Sequence, residues 1–142
     1  MEEKMSPWVA PIYGNMYQLL RRERVDKMIS DGQIEIVPVS YMRGRTFLDS
    51  CVIVDECQNL NFHELDTIMT RVGQDTRVIF AGDIQQTDLT KTNDRNGILD
   101  FVNIMNQMNE VECIEFGIPD IVRSGLIKSY LIQKIKLGLH YE

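Results

Sequence analysis

Residues Cys51 to Ile68 read CVIVDECQNLNFHELDTI: four apolar residues run into Asp55 and Glu56, then Gln58, then a helix start. Two adjacent carboxylates at the end of an apolar strand need a partner, because burying an unpaired charge is costly. A metal ion is the natural compensation. One acid can hold Mg²⁺ through water beside nucleotide phosphates, and the next can act as general base on an attacking water. The bland alternative is a strand that ends in a solvated acidic turn.

A second run, AGDIQQ, places Gly82, Asp83 and Gln86 at the end of another apolar stretch, RVIFAGD. The first run has the form of a Walker B element. In the second, a carboxylate stands near an amide that can bond a terminal phosphate or its attacking water; the alternative is a Gly-Asp turn with solvated glutamines. Two acidic strand ends on consecutive strands are harder to dismiss than one.

The elements that would carry these residues alternate. Strands are predicted at Ile34–Val39, with Pro38 demoting that run to an edge or a strand end, at Cys51–Val54, at Arg77–Asp83 and at Val111–Phe116. The run CVIV suits a parallel sheet covered on both faces. Helices are expected from Ser6-Pro7 to Asp31-Gly32 with a break near Arg22, from Asn61 (with Glu64 closing a capping box) to Gly73, over Ile98–Met108, and from Pro119-Asp120 onward with Ile121, Val122, Leu126, Ile127, Tyr130, Leu131 and Ile135 inward. Lys128, Lys134 and Lys136 are placed toward the C-terminal half of the last helix. The fold class is α/β, with a mostly parallel sheet flanked by helices. Ligands of such sheets bind outside the carboxyl ends of the strands, where Asp55, Glu56 and Asp83 fall.

The 142 residues suit one domain, 1–142. With 44% hydrophobic and 25% charged residues the chain reads as globular, and no apolar run reaches the roughly 20 residues of a membrane span. No export signal is evident, so a cytoplasmic protein is expected. A net charge of −6 argues against nucleic-acid binding driven by overall charge. Local basic residues, Arg43 and Arg45 in YMRGR above all, could still contact phosphate or nucleic acid, or pin their loop through carboxylate pairs. Cys51, Cys57 and Cys113 show no metal-ligand spacing and are expected as reduced core thiols; His63 and His140 are expected on helix surfaces.

The ordered set YMRGRT, DECQN, TRVG, GDIQQTDL and DIVRS resembles PhoH-like proteins over nearly the whole chain. The set is specific and its individual pieces are not. The resemblance implies the C-terminal part of a RecA-like P-loop ATPase core related to superfamily-one helicases, with ATP and Mg²⁺ as cofactors and RNA or DNA as a partner. It implies that Asp55 binds the metal and Glu56 is the base. It implies further that Gln58, Gly82 and Asp83 belong to the nucleotide site, Gln86 senses the terminal phosphate and Arg123 is a phosphate-contacting finger. A finger acting in trans would need a homo-oligomer. Cys57 stands where the family commonly has alanine, a change between small residues.

One departure outweighs these matches. No G-x-x-x-x-G-K-[ST] loop is present to cradle phosphates. The expected fold is therefore a partial core without the P-loop strand, which is expected centrally, between the Walker B strand and the sensor strand. The missing strand would come from another segment or a partner subunit. The chain alone is not expected to hydrolyse ATP at a useful rate. The competing class is a truncated, non-catalytic protein that binds a partner or nucleic acid. A metal-dependent nuclease built on the three acids alone is a weaker third reading.

Overall fold

The computed structural model describes residues 2–83 and 92–138, the side chains of 2–8 and 92–96 excepted. The chain divides into two compact units, Met1–Tyr41 and Met42–Glu142.

The first unit holds α1 (Glu2–Leu19) and α2 (Arg22–Ser30). The predicted break lies at Leu20-Arg21, and the predicted Ser6-Pro7 start falls inside α1. The two helices are tied by the Tyr17 hydroxyl, which donates to Asp26 (2.8 Å), and by Arg22, whose guanidinium lies 5.2 Å from the Tyr17 ring centroid. The Asp26 carboxylate, by accepting that proton, raises the tyrosine's pKa above its ordinary value. Gly32, at φ +70°, closes the region as expected. Ile34–Val39 does not form a strand. It is irregular and runs into a 3₁₀ turn at Val39–Tyr41, where Tyr41 N–H bonds Pro38 C=O.

The second unit is built on two parallel strands, β1 (Cys51–Val54) and β2 (Arg77–Phe80), with α3 (Phe62–Met69), α4 (Thr92–Met105) and α5 (Gly125–Lys136). Its α/β class follows the sequence pattern. Residues pair in register: Cys51 with Arg77, Val52 with Val78, Ile53 with Ile79, Val54 with Phe80. Paired strands lie only about 4.8 Å apart, so no further strand fits between these two. The expected gap there is corrected, and an added strand must join an outer edge.

Alternation along the strands sorts the side chains. Val52, Val54, Val78 and Phe80 share the covered face, where Phe80 meets Phe101 of α4 edge-on with ring centroids 4.9 Å apart. The expectation of a sheet covered on both faces fails: Cys51, Ile53, Arg77 and Ile79 lie on a face open to solvent. Cys51, on that face, and Cys113, in the irregular segment after α4, are exposed thiols, and of the three cysteines only Cys57 is buried.

Asn61 caps α3 through the predicted capping box: its side chain accepts Glu64 N–H, and the Glu64 carboxylate accepts Asn61 N–H. Leu65 and Ile68 are fully buried, and α3 packs on α4 where Gly97, which lacks a Cβ, lets the Phe62 backbone approach. The helix stops at Met69, four residues before the expected Gly73. The chain turns there to run beside residues 47–50, Gly73 N–H bonding Phe47 C=O (2.8 Å). On α4, Ile98, Phe101 and Met105 are the buried stripe, spaced as a helical face requires.

Beyond α4 the sequence reading diverges further. Val111–Phe116 is not a strand: among the described residues nothing pairs with it in a ladder, and Ile114 and Phe116 are exposed. Pro119-Asp120 closes a 3₁₀ turn, Ile118–Asp120, in which Asp120 accepts Gly117 N–H. The last helix starts only at Gly125, so Lys128 falls in its first turn while Lys134 and Lys136 occupy the last. No residue of α5 is buried. Val122, Leu126, Ile127, Tyr130 and Ile135, expected inward, are exposed.

Candidate functional site at the carboxyl edge of the sheet

The ladder continues past β1 and β2, but out of step. Ala81 N–H donates to Val54 C=O (2.8 Å), and Ala81 C=O accepts from Cys57 N–H (3.0 Å). An unbroken parallel ladder would take that second bond from Glu56. One extra residue is therefore inserted at Asp55-Glu56, a bulge of the kind that re-aims side chains beside active sites. Glu56 carries the distortion in a left-handed conformation (φ +53°, ψ +39°), unusual for a residue with a Cβ. Its displaced N–H donates to Asp55 Oδ1 (3.1 Å). Both carboxylates are exposed at the strand's mouth.

Gln58 ties this bulge to the second strand. It is 3% exposed, the one buried polar residue among the described residues. Its Nε2 donates to Glu56 Oε2 (2.6 Å), and its Oε1 accepts Asp83 N–H (3.2 Å). Gly82 makes room: a Cβ there would collide with Gln58 Oε1 and come within 2.9 Å of Cys57 Sγ. Burial pushes the Cys57 thiol up, with Asp55 and Glu56 adding in the same direction, so it stays protonated.

Asp55, Glu56, Gln58, Gly82 and Asp83 thus gather at one edge. Among the described residues no three carboxylate, thiol or imidazole groups converge on a single point. The donor set fits a hard cation held by one carboxylate whose other ligands are water and phosphate oxygens, not an all-protein cage. Arg123 lies in the exposed turn between the Ile118–Asp120 3₁₀ turn and α5. Arg43 and Arg45, exposed, precede the amino end of β1, the end opposite the acids. An open recess lined by Ser50, Cys51, Asp75, Thr76 and Arg77 also lies at that amino end. Gln86 and His140 fall outside the described residues, and His63 is exposed on α3 as expected. The sequence reading missed the bulge at Glu56, which leaves no composition signal. It also missed Arg71 of TRVG, whose Nε is buried with no hydrogen-bond partner among the described residues.

Gly82→Ala is expected to force Gln58 and Cys57 apart and to destabilise the second unit by about 1–3 kcal/mol, the range for overpacking. Chemical denaturation of the variant checks this, and an unchanged midpoint would show that the crowding is relieved for free.

The two parallel strands and their helices make this an α/β protein with adjacent acids at the sheet's carboxyl edge. The chain matches the family model for PhoH-like protein over residues 1–135. It is 33% identical over 127 residues to a PhoH-like protein of Mycobacterium tuberculosis (strain ATCC 25618 / H37Rv), covering 89% of this chain and 36% of that protein. It is 32% identical over 127 residues to a PhoH-like protein of Bacillus subtilis (strain 168), covering 89% and 40%, and 34% identical over 131 residues to Protein PhoH of Escherichia coli (strain K12), covering 91% and 37%. The chain belongs to the PhoH-like family. It spans 36–40% of the length of these relatives. Among the described residues no helix is long and apolar enough to cross a membrane.

Proposed function

We propose that this chain is the metal- and water-handling part of an ATP-hydrolysing PhoH-like module that acts on RNA or DNA. The observation that carries the reading is the Gln58 bridge. A buried amide has been placed where it fixes a bulged, exposed glutamate against the end of the next strand, an arrangement with no evident use in a merely solvated turn. Asp55 would hold Mg²⁺ through water beside the ATP phosphates. Glu56 takes the proton of the attacking water. Asp83 leads in sequence to Gln86, proposed to sense the terminal phosphate, and Arg123 would approach the phosphates from this chain or from a neighbouring copy in an oligomer.

The phosphate cradle must come from a further segment or a partner subunit. The test is a fusion joining this chain to the part of the Bacillus subtilis relative that lies outside the matched residues. Mg²⁺-dependent ATP turnover by the fusion, stimulated by RNA or DNA and absent from this chain alone, is the expected result. A fusion that binds nucleic acid but never hydrolyses ATP would instead favour a non-catalytic interaction protein. Nucleic-acid affinity is expected to fall with rising salt and to weaken when Arg43 and Arg45 are both reversed in charge.

A further inference from the structure

We propose that Gln58 is a positioning residue that couples the place of Asp83 to the place of the Glu56 carboxylate, so that the two move together. The inference rests on the reading of Glu56 as the base, but the coupling itself is a property of this chain without nucleotide. The amide of Gln58 is planar, and its two ends are bonded to partners of opposite kind. Oε1 meets a donor, Asp83 N–H, at 3.2 Å, and Nε2 meets an acceptor, Glu56 Oε2, at 2.6 Å. Flipping the amide would set a donor against Asp83 N–H and an oxygen against the carboxylate, losing both bonds at once. The pair of bonds therefore fixes one orientation of the amide, in which it bridges Glu56 and Asp83.

The surroundings leave little other freedom. Gln58 is 3% exposed, and Gly82 packs so closely against Oε1 that a methyl would not fit. The carboxylate at the other end stands on a bulged residue in a left-handed conformation, outside the ladder that would otherwise hold its backbone. A displacement of Asp83 drags Oε1, turns the amide and withdraws Nε2 from Glu56. An event felt at the end of β2 is thereby delivered to the group proposed to activate water.

Amide hydrogen exchange of Asp83, followed by NMR in this chain, tests the coupling. Gln58→Met removes both bonds and is expected to speed Asp83 exchange about fivefold, the equivalent of one net hydrogen bond. Glu56→Ala, which reaches Asp83 through the Gln58 bridge, is expected to speed it about two- to fivefold, and to add nothing once Gln58→Met is present. Gln58→Glu serves if the methionine variant does not fold: it keeps an acceptor for Asp83 N–H but sets two carboxylates together. Glu56→Ala should then slow Asp83 exchange, reversing the sign. The amides of Val52 and Val54 report that β1 is intact. Asp83 exchange that ignores Glu56→Ala, in either background, overturns the proposal and leaves Gln58 a packing buttress. That failure is distinct from a failure of ATP turnover, which this experiment does not use.

Discussion

Replacing Glu56 by glutamine is expected to lower ATP turnover by about 10²–10⁴-fold, the usual range for a general base, in the fusion of this chain with a P-loop-bearing segment. The substitution keeps size and hydrogen-bonding capacity but removes the carboxylate proposed to accept a proton. The Gln58 Nε2 bond, at 2.6 Å to Glu56 Oε2, can be accepted by the oxygen of the new amide, so the bulge should survive. Nucleotide affinity is expected to stay within about threefold, because the proposal assigns the phosphate contacts and the metal to other groups, Asp55 among them. Steady-state turnover and equilibrium binding, measured on the same preparation, separate the two effects. Turnover within a few fold of the parent would remove Glu56 from the chemistry and pass the role to another group at the edge.

Asp55→Asn provides the contrast. If Asp55 holds the metal as proposed, its loss should weaken Mg²⁺-dependent nucleotide binding as well as turnover, where Glu56→Gln affects turnover alone. The division of labour between adjacent acids is thus open to direct measurement. The bulge sends Asp55 and Glu56 off the strand in different backbone conformations. In an unbroken strand the two would simply alternate between faces.

The parts of the fold legible in the sequence are those settled by local physics. CVIV and RVIF are apolar, β-branched runs, and both are strands. The Asn61–Glu64 box needs only its own four residues, and it formed as read. The misreadings concern partners. VECIEF has the composition of a strand, yet a strand requires a neighbour to bond with, and among the described residues none pairs with it in a ladder. The apolar pattern of α5 correctly marks a helix, but periodicity does not say what covers it: Leu126, Ile127, Tyr130 and Ile135 are exposed and none of its residues is buried. In the site, the types and order of Asp55, Glu56 and Asp83 are readable because each follows an apolar strand run, whereas Gln58, in the Cys57–Asn59 3₁₀ turn, is marked only by the family resemblance. The one-residue slip in the ladder was not readable, since it depends on which carbonyl Cys57 N–H reaches across the sheet. The direct pairing of β1 with β2 was likewise beyond the sequence, because two compatible apolar strands say nothing of whether a third lies between.

That direct pairing gives the open face of the sheet its meaning. Ile53 and Ile79 stand side by side across the ladder, 68% and 44% exposed. The relatives carry well over half their length outside the region matched here. If the remaining segment adds its strand at an outer edge, the elements flanking that strand can close over this face. The prediction is a difference between contexts. In this chain alone, Ile53→Lys or Ile79→Lys should change stability by no more than about 0.5 kcal/mol, as for other surface substitutions. In the fusion, each should cost about 3 kcal/mol or more, because a buried isoleucine is worth about 1.5–3 kcal/mol and a lysine must then be accommodated in its place. Chemical denaturation of both polypeptides measures the two values side by side. Equal, small effects in both would mean that the face stays in solvent in the longer protein and that the added segment binds elsewhere. A large effect confined to the fusion would locate the missing half on this face, with the acids of β1 and the end of β2 at its border.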